Sequence, residues 1–142
     1  MKGFTLLLVV ILMTPALGHP EEREAGYLEM QRGKLVKELN LSPDKAKEFL
    51  AVGEKYHQMR EEVIGRIKKG ESDLEIALAA PQVDESKINQ IVTALITDHD
   101  QLFETFKAQR HEEMALLTPV QRGKFLMALK KWHDEVAQKE KK

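Results

Sequence analysis

The chain has no cysteine. That excludes disulfides, zinc sites built on thiolates, and a lipid attached through an N-terminal cysteine. An exported form would be held together by packing alone. No charge excess exists either: 22 Lys and Arg face 23 Asp and Glu, a net charge of −1 at pH 7. Nucleic-acid binding wants a basic excess interleaved with stacking aromatics; aromatics are 6% of this chain, with one tryptophan, so a nucleic-acid partner is not expected. Catalytic signatures are also missing. There is no glycine-rich phosphate loop, no G-x-S-x-G and no H-E-x-x-H. His111-Glu112-Glu113 lacks a second histidine at position 115, and the only serines are Ser42, Ser72 and Ser86. No apolar run reaches the ~20 residues that cross a bilayer, and no segment alternates with period 2 long enough to make a strand.

What is present starts at the N-terminus. Lys2 supplies a positive charge, Phe4–Met13 is apolar apart from Thr5, Thr14-Pro15 breaks a helix, and Ala16-Leu17-Gly18 offers small residues for cleavage. These are the three parts of a secretory signal. The segment Met1–Gly18 therefore predicts export, no stable membrane insertion after cleavage, and a new N-terminus at His19. Residues 19–137 form the folded domain in this reading, and 138–142, almost all charged, a C-terminal tail.

Between sparse prolines and glycines, apolar residues recur at helical spacing. A first helix is predicted over Glu24–Leu39, with Tyr27, Leu28, Leu35 and Leu39 on one side. A second begins at Ser42-Pro43 and runs to about Lys69. Its stripe is Ala46, Phe49, Leu50, Gly53, Tyr56, Val63, Ile64 and Ile67, and Gly70 stands where a left-handed cap is common. Ser72-x-x-Glu75 suggests a capping box for a short piece that Pro81 stops. Asp84 can cap a third helix over Glu85–Leu116, with Ile88, Ile91, Val92, Leu95, Ile96, Leu102, Phe103, Phe106, Met114 and Leu117 along one stripe. A fourth starts at Thr118-Pro119 and carries Phe125, Leu126, Leu129, Trp132 and Val136. The expected fold is all-α: three long helices and a shorter N-terminal one, joined by brief turns.

The most specific string is Leu117-Thr118-Pro119-Val120-Gln121. Thr118 can accept from the amide of Gln121, whose side chain can reach back to the cap amide, and Pro119 fits the first turn. A weaker copy, Leu41-Ser42-Pro43-Asp44-Lys45, stands 76 residues earlier. Lys45 replaces the glutamine there, so only half of the box can form.

Two such helix starts behind a secretory signal, over roughly Leu39–Val136, resemble the LTxxQ family of periplasmic proteins. It includes Spy, CpxP and the metal-responsive relatives ZraP and CnrX. The resemblance implies a curved, hairpin-based helical fold that pairs into a cradle-shaped homodimer, and a role in envelope stress. Some members are chaperones that hold unfolded proteins without ATP; others sense heavy metals or restrain a membrane sensor kinase.

Of five histidines, His57 falls on the line Leu50–His57–Ile64 and His99 on Val92–His99–Phe106. With the hairpin turn centred near residue 77 or 78, the two imidazoles would stand level. Glu61, Asp98 or Asp100 would add a carboxylate to a set suited to zinc, nickel, cobalt or copper. The same histidines also read as packed or boundary residues. The pattern departs from CnrX-type sensors, because Glu61 follows His57 where they carry a second histidine, and His111 precedes Met114 by three residues rather than four. The histidine- and cysteine-rich segment of ZraP-like members is missing. His19 would chelate weakly with its α-amine. Met30, Met59, Met114 and Met127 suit either core filling or an adaptable apolar surface. Glu61-Glu62 and Glu112-Glu113, near Arg60, Arg66 and Arg110, read as solvated ion pairs.

Overall fold

In the computed structural model the described residues are 26–140, and they are helical throughout apart from short connections. Helix α1 covers 26–38; its middle, Gln31–Leu35, is wound as a π-helix and Val36–Glu38 closes it. Helices α2 (Pro43–Ala79), α3 (Glu85–Ala115) and α4 (Pro119–Glu140) follow. No strand occurs among the described residues. The predicted leader Met1–Gly18 and His19 lie outside them. Residues 138–140, expected in a tail, continue α4.

Each boundary has a local cause. Helix α1 ends in a Schellman motif. Leu41 N–H donates to the Val36 carbonyl and Asn40 N–H to that of Lys37, while Asn40 takes the left-handed φ of 51° that Asn tolerates. Ser42 Oγ accepts from the Lys45 amide at 3.2 Å to open α2, and Asp84 Oδ1 accepts from the Lys87 amide at 3.1 Å to open α3. Pro81 holds Ala80 extended, ψ 141°, and so ends α2.

The expected break at Gly70 does not occur: α2 passes straight through Gly70 and Ser72, so no capping box forms at Ser72–Glu75. Gly70 answers packing instead. A Cβ there would lie 2.6 Å from Leu95 Cδ2, so the missing side chain lets α3 approach. Continuous α2 and α3 make a long antiparallel hairpin.

Two apolar clusters hold the molecule. The first joins Tyr27, Met30 and Leu35 of α1, and Leu39 just after it, to Phe49, Leu117, Phe125 and Leu129. The second lies inside the hairpin: Val63, Ile64, Ile67, Leu102 and Phe106, with Leu95 and Phe103 against it. All four helices therefore meet at one end, in a head, and only α2 and α3 continue beyond it as a two-helix stalk. On the stalk the expected stripe is half-buried at Ile88, Ile91, Val92 and Leu95 and exposed only at Ile96, 57%. Outside that stripe Ile76, Leu78 and Val83 are 67%, 58% and 50% exposed, because neither α1 nor α4 reaches them. Among the described residues no helix is long and apolar enough to cross a membrane.

Candidate functional site

The two strings singled out in the sequence converge in the head. At the second, Gln121 N–H donates to Thr118 Oγ1 at 3.3 Å and Thr118 N–H to Gln121 Oε1 at 3.0 Å. This is the reciprocal box that the residue types predict. Gln121 has a second task that spacing alone could not show: its Nε2 donates to the Leu39 carbonyl at 3.1 Å, which ties the start of α4 to the end of α1. Arg122 Nε donates to the Met114 carbonyl at 2.9 Å and ties it to the end of α3. At the first string only Ser42 caps, as Lys45 pairs with Glu48 at 3.6 Å instead. Leu117 is buried in the head cluster, and Leu41 packs half-buried against it.

Beneath α1 lies a polar layer. Gln31, Arg60, Gln109 and Glu113 are all at most 1% exposed. Gln31 Nε2 donates to Glu113 Oε2 at 2.8 Å and to the Tyr27 hydroxyl at 3.3 Å. Arg110 Nη1 donates to that hydroxyl at 2.9 Å, and its guanidinium lies over the Phe125 ring. Arg60 lies over Phe106, 4.2 Å from the ring centroid. Gly53 makes the room, since a Cβ there would sit 2.5 Å from Gln31 Oε1.

The expectation of solvated ion pairs is therefore corrected for Glu113 and Arg60, which are interior. Burial raises the Glu113 carboxyl above its ordinary range, against Arg110, Gln109, Arg60 and Gln31, which pull it down. Its neighbour Glu112 behaves oppositely: the hydroxyl of Tyr56 and the ammonium of Lys55 both donate to it and hold its carboxyl low. Sequence reasoning missed this layer, although the signal existed. Gln31 is four residues from Tyr27 and Leu35, Arg60 four from Tyr56, and Gln109 and Glu113 three and seven from Phe106. Helical spacing alone puts all four on the buried stripe.

The hairpin does not bring His57 and His99 level. Arg60 stands against Phe106, Arg66 against Asp98, and Gly70 against Leu95. In that register His57 is level with Gln109 and His99 with Ile67. Ten residues of helix separate those levels, about 15 Å. The expected register put the turn near residue 78, whereas α2 extends to Ala79 and the connection is centred near 82. His57 Nε2 instead faces Glu61 Oε1 at 3.2 Å. Among the described residues no three His, Asp or Glu side chains gather as metal ligands, so the zinc, nickel, cobalt or copper set is not assembled there.

The head is thus a helical assembly in which α2 and α4 open on Leu-Ser-Pro and Leu-Thr-Pro caps, with a hairpin stalk beyond it. A family model described as heavy-metal resistance matches residues 3–124. The chain belongs to that family, the LTxxQ group of Spy, CpxP and ZraP relatives. No curated protein and no solved structure matches it.

Proposed function

We propose that the protein is a non-catalytic envelope-stress protein of the Spy/CpxP type, exported to the periplasm, where it holds unfolded or stress-exposed envelope proteins without ATP. The observation that carries this reading is the stalk. Ile76, Leu78 and Ile96 stand exposed on its two helices and Val83 on the turn that joins them. Large apolar side chains left exposed on a surface that no other element covers suit an interaction surface, and extended apolar segments of an unfolded chain match it. A homodimer built stalk against stalk would frame the surface as a concave cradle. The test is aggregation of a chemically denatured client with the protein recovered after export. Suppression at stoichiometric amounts supports the reading, and unchanged aggregation rejects it.

A second reading, a heavy-metal sensor or buffer, is favoured by the family's description. Calorimetry with zinc, nickel, cobalt and copper ions tests it: heat that disappears in His57→Ala supports it, and no heat with any ion removes it. The third reading, an adaptor that restrains a membrane sensor kinase, would show as co-purification with such a kinase from envelope extract.

A further inference from the structure

From Met114 to His133 the chain carries four cations (Arg122, Lys124, Lys130 and Lys131) and no carboxylate, within a chain whose net charge is −1. Helical spacing gathers Val120, Lys124, Met127 and Lys131 on one face of α4, and the structure turns that face outward. Val120 and Met127 are 69% and 65% exposed, more than most apolar residues among those described. On the opposite face Phe125 and Leu129 are buried in the head. Lys130, at the edge of the outer face, pairs with Asp134 at 3.9 Å, so Lys124 and Lys131 carry the charge of the face itself. Glu113, the nearest carboxylate before the run, is interior and does not offset its charge at the surface.

We infer that the outer face of α4 between Val120 and Lys131 docks on an anionic lipid surface. The charge is complementary to anionic headgroups. The cations on this face are lysines, strongly hydrated point charges that snorkel on long apolar stems, rather than the fork of arginine that grips carboxylates. The two protruding apolar side chains sit among them, as on helices that lie in a membrane interface. The groove between this face and α1, lined by Met30, Lys34, Glu38, Lys131, Trp132 and Glu135, mixes both charges and shares Lys131 with the face. Docking through α4 is independent of client binding, because it leaves the stalk free.

Flotation with vesicles tests this, comparing phosphatidylcholine alone with phosphatidylcholine containing phosphatidylglycerol, at low and high salt. The protein is expected to float with the anionic vesicles and to be released by salt. Lys124→Gln with Lys131→Gln is expected to weaken binding by about 25-fold, about five-fold for each charge removed. Met127→Gln is expected to weaken it while leaving the salt dependence in place. Lys87→Gln, at the far end of the stalk, is the control and is expected to bind as the parent does. The N-terminal apolar segment is common to all variants, so their differences report on α4. Equal binding to both vesicle types overturns the proposal, as does a double variant that floats like the parent. Binding to a soluble poly-glutamate peptide with no flotation overturns it in favour of an acidic protein partner.

Discussion

Phe49 and Phe125 meet edge to face, their ring centroids 5.9 Å apart and their planes at 76°. Each stands seven residues after the cap of its own helix, Ser42 and Thr118. The repeated helix start is thus a positioning device: it fixes where two helices begin, and two turns later their aromatic rings coincide at the centre of the head. Both rings are fully buried. Phe49→Ala and Phe125→Ala are each expected to cost about 3–5 kcal/mol in urea unfolding. The double variant is expected to show a coupling of about 0.5–1.5 kcal/mol. Strict additivity would mean that the rings act separately.

Much of the fold was legible in the residues because its causes are local. Ser42, Asp84 and Thr118 act through hydrogen bonds to amides three residues on, and Pro81 through its own neighbour. The all-α class, the caps and the stripe through Phe49, Tyr56 and Ile67 followed from those rules. Gly70 misled because its reason is not local: Leu95, 25 residues away, needs the space. That one misplaced break shifted the hairpin register by about five residues and carried His57 and His99 apart. The same limit hid the second bond of Gln121 to Leu39. The polar layer was hidden for a different reason. Arg60 and Glu113 are charged, and charge ordinarily means solvent; their helical positions said otherwise.

The double duty of Gln121 separates it from Thr118. Thr118→Ala removes one cap acceptor and is expected to cost about 1 kcal/mol. Gln121→Ala removes the reciprocal bond and also the donor to Leu39, so it is expected to cost more than Thr118→Ala. It should also speed hydrogen exchange at the end of α1, which Thr118→Ala should leave nearly unchanged. Ser42→Ala, at the half-formed copy, is expected to match Thr118→Ala. Equal exchange at residues 36–41 in both the Thr118 and Gln121 variants would show that the bond to Leu39 does not hold α1.

Glu112 and Glu113 are adjacent and titrate in opposite senses. The folded state raises Glu113 above its ordinary value of 4.5 and lowers Glu112 below the same value. Burial therefore favours neutral Glu113. Its contribution is complete below the unfolded value and is lost as pH rises through the folded one. Glu112 contributes fully above the unfolded value and loses its share as pH falls through the folded one. Glu113→Gln keeps an acceptor for Gln31 and removes the first process. Stability of the parent, followed by urea midpoint across a pH series, is expected to decline above 4.5 more steeply than that of the variant. Parallel pH profiles would show that Glu113 does not titrate in this way.

The stalk separates folding from binding. Ile76 and Ile96 are 67% and 57% exposed, so an aspartate at either position removes little buried area. Such surface changes usually move stability by less than about 0.5 kcal/mol. If these side chains form the surface that meets unfolded clients, Ile76→Asp with Ile96→Asp should abolish protection against aggregation while the urea midpoint stays near that of the parent. Sedimentation run alongside shows whether the same residues join two copies. A variant that turns monomeric and loses protection places the dimer before client binding, whereas one that stays dimeric and loses protection places the clients directly on the stalk. Full protection in the folded double variant would remove the stalk from the mechanism and move attention to the head.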